Sequence, residues 1–161
     1  MEISSIIEIW KYLKWLPKFF LRKLFSQERL SDLVLVDVQA RQEGVRVNLG
    51  AIASYSIYFQ IINMSPFDVE LDRAEMEFLC AGTSVSKQYI RKTIFKAGEV
   101  GTLYVVGEIE TAKAIQMARH YKDNRSSIFM HCEFNCSLHN FTKVCNNLEG
   151  VNVNFINAEW R

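Results

Sequence analysis

The sequence predicts a mainly β fold, a β-sandwich with one helix late in the chain and an amphipathic helix at the N-terminal end. Two observations predict the sandwich: seven or eight short segments alternate apolar and polar residues, and turn-forming residues separate them. A third observation predicts the N-terminal helix, because apolar residues before residue 25 recur at spacings of three and four. With 161 residues, 49% hydrophobic and 23% charged, the chain is long enough to bury one core.

The N-terminal segment, residues 1–29, combines an apolar stripe with a basic face. Between Ile9 and Phe25 there are five basic residues and no acidic residue. Pro17 predicts a kink or a break, because proline lacks an amide hydrogen and clashes with the preceding turn. An apolar face with aromatic residues opposite a basic face is typical of a helix that lies in the plane of a membrane surface. The candidate membrane-binding or partner-binding residues are Trp10, Lys11, Leu13, Lys14, Leu16, Lys18, Phe20, Arg22 and Lys23.

A second interpretation of this segment stays open: the helix docks on its own domain, on a second copy or on a protein partner. A membrane span is not predicted, because a Lys or Arg interrupts the apolar residues every few positions. A secretory signal is not predicted either, since an uninterrupted apolar centre is missing. We therefore expect a cytoplasmic protein at the periphery of an anionic membrane, or a soluble protein–protein interaction module. The formal net charge of +1 does not predict nucleic-acid binding, and homo-oligomerisation stays open.

Residues 30–161 are predicted to form the sandwich as one domain. A turn is expected at Asn63–Pro66, a β-bulge near Arg73, and a further turn at Ser26–Arg29. The helix is predicted from Thr111, as its capping residue, to Tyr121. Alternation places Phe67, Val69 and Leu71 towards the core, and Asp68, Glu70 and Asp72 outwards. The predicted strands cover residues 33–38, 45–49, 55–62, 67–80, 85–95, 100–109, 128–138 and 151–155.

Two stretches of the body carry a resemblance to a known family. They are Asn63-Met64-Ser65-Pro66-Phe67-Asp68-Val69-Glu70-Leu71, and Phe95-Lys96-Ala97-Gly98 followed by a strand, a helix and a final strand pair. Over about residues 30–158 the chain resembles the late embryogenesis abundant group 2 family, also called the water stress and hypersensitive response domain. It has Met64-Ser65 where the family often has Pro directly after Asn. The resemblance implies a fibronectin type III-like (immunoglobulin-like) sandwich, a stress-protective or binding role, frequent membrane association, and no catalytic residues.

The densest set of chemically reactive side chains consists of His131, Cys132, Cys136, His139 and Cys145. Alternation places Cys132 and Cys136 on the core face of one strand and both histidines on the other face, so these side chains diverge and a zinc site is not predicted. The two cysteines would be about 13 Å apart along the strand, too far to form a disulfide. They are expected to be buried thiols. We find no local signature of nucleophilic catalysis or of a phosphate-binding loop, and predict a non-enzymatic protein without metal or cofactor.

Overall fold

The structure, a computed structural model, describes residues 15–38, 44–123, 126–149 and 151–160. Its strands are β1 (Val34–Val38), β2 (Val45–Asn48), β3 (Ser54–Asn63), β4 (Val69–Cys80), β5 (Thr83–Tyr89), β6 (Thr93–Phe95), β7 (Val100–Glu108), β8 (Ser126–Cys136), β9 (Asn140–Glu149) and β10 (Val153–Ile156). Its α-helices are α1 (Lys18–Leu24), α2 (Gln27–Asp32) and α3 (Thr111–His120). Short 3-10 turns cover Tyr121–Asp123 and Ala158–Trp160. The prediction of a mainly β protein with few helices is confirmed.

The first sheet is built on the long strand β3. One edge of β3 pairs antiparallel with β7 along almost its whole length. The other edge is shared, because β2 pairs with the first half of β3 and β1 with the second half. Strand β10 then adds to β2 in parallel.

The second sheet repeats this plan on the long strand β4. One edge of β4 pairs antiparallel with β8, which in turn pairs with β9. The other edge is shared between β6 and β5. Along the described strands, the chain crosses between the sheets four times: from β3 to β4, from β6 to β7, from β7 to β8 and from β9 to β10. The first two of these crossings are bonded to each other.

The two sheets share one core. In β3 and β4 alternate side chains are buried, in the phase predicted from the sequence, and the tilted rings of Tyr55 and Phe78 lie 6.2 Å apart between the sheets. The register of β4 against β8 shifts between Leu71 and Arg73, which confirms the predicted bulge. Because a bulge adds one residue, the alternation resumes with the correct face inwards. The core residues of these strands are Tyr55, Ile57, Phe59, Ile61, Val69, Leu71, Ala74, Met76, Phe78 and Cys80.

The side chain of Asn63 holds the crossing from β3 to β4. It is fully buried, and its amide nitrogen lies 2.8 Å from the carbonyl oxygen of Phe67 and 3.0 Å from those of Phe95 and Lys96. Its amide oxygen accepts hydrogen bonds from the backbone and the hydroxyl of Ser65, at 3.0 and 2.7 Å. One side chain thus bonds polar groups of the crossing from β3 to β4 and of the crossing from β6 to β7.

The backbone of Asn63 adds a second connection to the crossing from β6 to β7. Its N–H donates to the carbonyl of Glu99 at 2.9 Å, and its carbonyl accepts from the N–H of Gly98 at 2.8 Å. The Asp68 carboxylate accepts a further hydrogen bond from the N–H of Ala97 at 3.0 Å. The two crossings are therefore bonded to each other at one end of the molecule.

The strand predicted from residue 85 to 95 is two strands instead. β5 pairs with β4 after the bulge, from Ala74 onwards, and β6 pairs with β4 before it, from Val69 to Leu71. The bulge shifts the register between these two stretches. Residues 90–92 therefore have no strand partner and leave the sheet.

The starts of helices α2 and α3 differ from the sequence prediction. The turn expected at Ser26–Arg29 is the start of α2, because the Ser26 hydroxyl caps this helix by accepting a hydrogen bond from the backbone of Arg29 at 3.3 Å. Helix α3 follows Glu110, and the predicted cap at Thr111 is wrong because Thr111 lies inside the helix. The buried residues of α3 are Ala114 and Met117.

The last part of the body also differs from the prediction. β8 ends at Cys136 instead of Leu138, and a tight turn leads directly into β9. β9 was not predicted, because charged and amide residues interrupt its alternation. The final strand begins at Val153 rather than Val151.

The register of β4 can be tested with Val69 and Glu70. Val69→Asp places a charge without a partner at a fully buried position, so we expect a loss of several kcal/mol in the free energy of unfolding. Glu70→Ala removes an exposed ion pair with Lys92, at 3.2 Å, and should cost less than about 1 kcal/mol. Urea denaturation measures both, and equal losses would contradict the assigned faces.

The bonds of Asn63 can be tested by Asn63→Ala. The substitution removes the amide donor from the carbonyl of Phe95 and the amide acceptor from the N–H of Ser65, whereas the carbonyls of Phe67 and Lys96 keep the Ser65 hydroxyl and the Glu99 N–H as donors. Each unsatisfied buried group costs about 1–3 kcal/mol, so we expect a loss of a few kcal/mol in the free energy of unfolding. Gln88→Ala is the control, because its amide bonds only an exposed carboxylate, that of Glu75. Thermal denaturation should show a clearly lower midpoint for the first variant and almost no change for the second.

Candidate functional site

Helix α1 is anchored to the body by two residues of one face. Leu21 and Phe25, four positions apart, are each only 4% exposed. The Phe25 ring packs edge-on against the Phe67 ring, with 5.3 Å between the centroids. Since Phe67 lies in the crossing from β3 to β4, α1 is held at the end of the molecule where Asn63 bonds the two crossings.

Helix α2 ties the same region to β9. The Ser31 hydroxyl donates to the carbonyl of Thr142 at 2.8 Å, and the Lys143 ammonium donates to the carbonyl of Ser31 at 2.8 Å. The Arg29 guanidinium donates to the carbonyl of Leu24, in the last turn of α1, at 2.8 Å. The orientation of α1 on the two sheets is therefore fixed by bonds as well as by apolar packing.

The side of α1 that faces away from the body is apolar and aromatic. Trp15, just before the helix, is 78% exposed, and Phe19, Phe20 and Leu24 are 63%, 52% and 42% exposed. The Phe19 and Phe20 rings lie against each other, with 3.9 Å between their centroids. Exposed aromatic residues clustered in this way mark an interaction site more often than single exposed apolar residues do.

Three exposed cations lie among these residues: Lys18, Arg22 and Lys23. α1 contains no acidic residue, and none of the three forms an ion pair with another residue in the described part of the chain. Arg22 and Lys23 lie in the last helical turn, where a positive charge complements the helix dipole. We call this region the aromatic–basic surface; it consists of Trp15, Lys18, Phe19, Phe20, Arg22, Lys23 and Leu24.

A groove of about 460 Å³ opens along this surface. Leu16, Phe20 and Leu24 supply its apolar lining, and Lys23 and Arg29 supply cationic groups. The groove therefore combines the two kinds of group that an anionic amphiphile requires.

The structure brings part of the predicted site together. Leu16, Lys18, Phe20, Arg22 and Lys23 lie in or beside the aromatic–basic surface. The predicted residues Trp10, Lys11, Leu13 and Lys14 lie outside the described residues.

Two members of the surface, Trp15 and Phe19, were not among the predicted site residues. The predicted apolar stripe runs on through Pro17, whereas α1 begins after Pro17, which takes the N-cap position. The kink or break expected at Pro17 stays a prediction, because residues 1–14 lie outside the described residues. A separate count of helical positions from Lys18 would have included Phe19, but Trp15 lies before the helix and no helical spacing indicates it.

His131 and Cys132 lie on opposite faces of β8, as alternation predicted, but His139 lies after the end of the strand. Cys132 is fully buried, and burial raises the pKa of its thiol to about 12. Cys136 is only half-buried, which corrects the prediction that it lies in the core, because β8 ends at this residue and the chain turns. His139, in the turn, places Nε2 3.3 Å from the carbonyl oxygen of Arg22. Among the described residues, no three His, Cys, Asp or Glu side chains are grouped so that they could hold a metal ion.

Within the described part of the chain, no helix has the length and the apolar character that crossing a bilayer requires.

Comparisons with known proteins give no family assignment. No family model matches the chain, and no curated protein matches it. Among solved structures, the Northeast Structural Genomics Consortium target SoR45 is similar with a TM-score of 0.48 and 10% identity, over 73% of this chain and 85% of that one. A protein from Archaeoglobus fulgidus gives a TM-score of 0.41 and 7% identity, over 70% and 91%. The alkylpurine DNA glycosylase AlkC of Pseudomonas fluorescens gives 0.32 and 14%, over 77% of this chain and 34% of that one.

The thiols should differ in reactivity according to their burial. Burial raises the pKa of Cys132 and of Cys80 from 9.0 to about 12, so the reactive thiolate is scarce in the folded state. Both should react slowly with a thiol reagent at mildly alkaline pH, whereas the half-buried Cys136 should react faster. Because the folded-state pKa is the higher one, the stability from these thiols is complete below about pH 9 and is lost towards pH 12. Mass spectrometry after timed alkylation measures the order; fast labelling of Cys132 would contradict it.

Proposed function

We propose that this protein is a non-enzymatic binding module that attaches to the surface of anionic membranes through its N-terminal region and presents its two-sheet body to a partner or a lipid. The observation that carries the proposal is the aromatic–basic surface. Its aromatic side chains remain exposed on a helix whose opposite face is already packed against the body.

The apolar part of the surface fits the interfacial region of a bilayer. Trp and Phe side chains on one face of a short helix insert at the boundary between headgroups and acyl chains. Had α1 served only to cover the body, Leu21 and Phe25 would have been sufficient. The exposure of Trp15, Phe19 and Phe20 costs free energy in water that insertion would recover.

The charged part of the surface supports an anionic membrane in particular. Each Lys or Arg near an anionic leaflet contributes about 1 kcal/mol. Lys18, Arg22 and Lys23 carry no acidic neighbour within α1 that would cancel their charge. The amphiphilic groove beside Lys23 adds a place where one lipid could be held.

The finer features of the proposal come from the sequence resemblance. We propose a fibronectin type III-like sandwich of the late embryogenesis abundant group 2 kind, with a stress-protective role at the cytoplasmic periphery of a membrane. The two-sheet body supports this, and so does the bonding role of Asn63, the first residue of the stretch that carries the resemblance.

Vesicle co-sedimentation tests the proposal. The triple variant Lys18→Glu, Arg22→Glu, Lys23→Glu should lose binding to vesicles rich in phosphatidylserine by about a hundredfold or more, since about 1 kcal/mol is lost per cation. The matched control Lys87→Glu, Arg91→Glu, Lys96→Glu makes the same charge change at exposed positions elsewhere and should bind almost as the wild type does. High salt should weaken wild-type binding, because it screens exposed charges.

The aromatic contribution needs a separate variant. Phe19→Ala with Phe20→Ala should weaken binding at low and at high salt, because apolar burial is not screened. Ile90→Ala with Ile94→Ala, at exposed positions of the body, is the control. If the intact protein stays in the supernatant with these vesicles at low salt, the proposal fails, and the surface becomes a candidate site for docking a protein partner.

A further inference from the structure

Helices contact the edges of β9 and β5, whereas, in the described part of the chain, the edge of β7 is open. The edge of β9 is covered by α2, through the bonds of Ser31 and Lys143. At the edge of β5, the Lys113 ammonium of α3 donates to the carbonyl of Ser84 at 3.0 Å. The edge of β7 has no such cover: among the described residues, β3 is the only strand that pairs with β7.

The register of β7 shows which backbone groups lie on this open edge. Ile109 donates to the carbonyl of Ala53, and Glu99 accepts from the N–H of Asn63, so the odd-numbered residues form the hydrogen-bonded pairs with β3. In an antiparallel pair these alternate with residues whose N–H and C=O point the other way. The N–H and C=O groups of Thr102, Tyr104 and Val106 therefore point away from β3.

The sequence of β7 lacks the features that protect an exposed edge. It reads Val-Gly-Thr-Leu-Tyr-Val-Val-Gly-Glu, without Lys, Arg or Pro and with Glu108 as its only charge. Natural edge strands usually carry charges, proline or a bulge, because an unprotected row of backbone groups binds another strand. The register from Ile62 opposite Val100 to Ser54 opposite Glu108 contains no bulge.

We propose that β7 pairs antiparallel with β7 of a second copy, with Tyr104 opposite Tyr104 of the other chain. The proposal does not rest on membrane binding. In this register Thr102 lies opposite Val106, so the three residues with free backbone groups all exchange hydrogen bonds across the two-fold axis. The first sheet of each copy then continues into that of the other.

The side chains of β7 favour a second copy as the occupant. The register places Glu108 opposite Val100 and Glu99 opposite Ile109, so no two like charges are directly opposite. It also pairs the β-branched residues Thr102 and Val106, which suit cross-strand packing. The exposed Tyr104 ring, stacked on Tyr58 with 4.4 Å between centroids, would meet its symmetry mate and form a row of four rings.

Two variants block this edge without touching the pairing with β3. Thr102→Pro removes an N–H that points outwards, which an edge strand tolerates but a paired strand does not. Val106→Lys adds a charge at the outer face, and Val106→Thr is its matched control. Light scattering during size-exclusion chromatography should show twice the mass of one chain for the wild type and for Val106→Thr. It should show a single chain's mass for the two blocking variants, with unchanged circular dichroism.

Hydrogen exchange gives a readout that does not depend on any variant. On raising the protein concentration, the amides of Thr102, Tyr104 and Val106 should become protected, while those of Leu103 and Val105 are protected at every concentration because they donate to β3. A wild type that keeps the mass of one chain at high concentration, with its three outward amides exchanging freely, would overturn the proposal. The triple variant of Lys18, Arg22 and Lys23 should still dimerise, so failure of this proposal and failure of membrane binding are distinguishable.

Discussion

The bonds made by the buried side chain of Asn63 are the constraint on which the arrangement of this molecule depends. Where the chain crosses from β3 to β4 and from β6 to β7, backbone groups lie outside both sheets and need other partners. A side chain that both donates and accepts can bond such groups on both of these crossings, and Asn63 reaches carbonyls of each. The crossing from β3 to β4 also carries Phe67, against which Phe25 packs to hold α1 and with it the aromatic–basic surface.

How much of the fold the sequence predicts depends on how strongly each segment alternates. In β3 and β4 one face is entirely buried, so the pattern indicated both strands, their faces and the bulge near Arg73. α2 and β9 were not predicted. Charged and amide residues interrupt the alternation of β9, and its pairing with β8 is what places it in the sheet. α2 is joined to β9 by contacts such as the bond from Ser31 to Thr142, which join residues far apart in the chain. Local periodicity cannot report a bond of that kind.

The sequence predicted the positive charge of the candidate site, but not which of its apolar residues are exposed. The run of cations without acidic residues is a property of composition, so its prediction does not depend on the helical phase. Which apolar residues stay exposed is a different matter, because both faces of α1 carry apolar pairs four apart. Leu21 with Phe25 is buried, and Phe20 with Leu24 is exposed. Only the position of the body decides between the two pairs, and helical spacing alone does not indicate that position.

The straight, open edge of β7 is related to the way its inner face packs against the core. At Gly101 and Gly107, a Cβ atom would overlap the rings of Phe95 and Tyr55, so these positions require glycine for a close approach of backbone to core. Rings packed over Gly101 and Gly107 hold β7 against the core near both of its ends, and its pairing with β3 contains no bulge. A bulge is one of the ways in which natural proteins protect an edge strand. The outward residues then remain in a straight row, and their neutral, β-branched and aromatic side chains suit another strand. The packing that stabilises one copy thereby leaves open the edge at which we propose that a second copy binds.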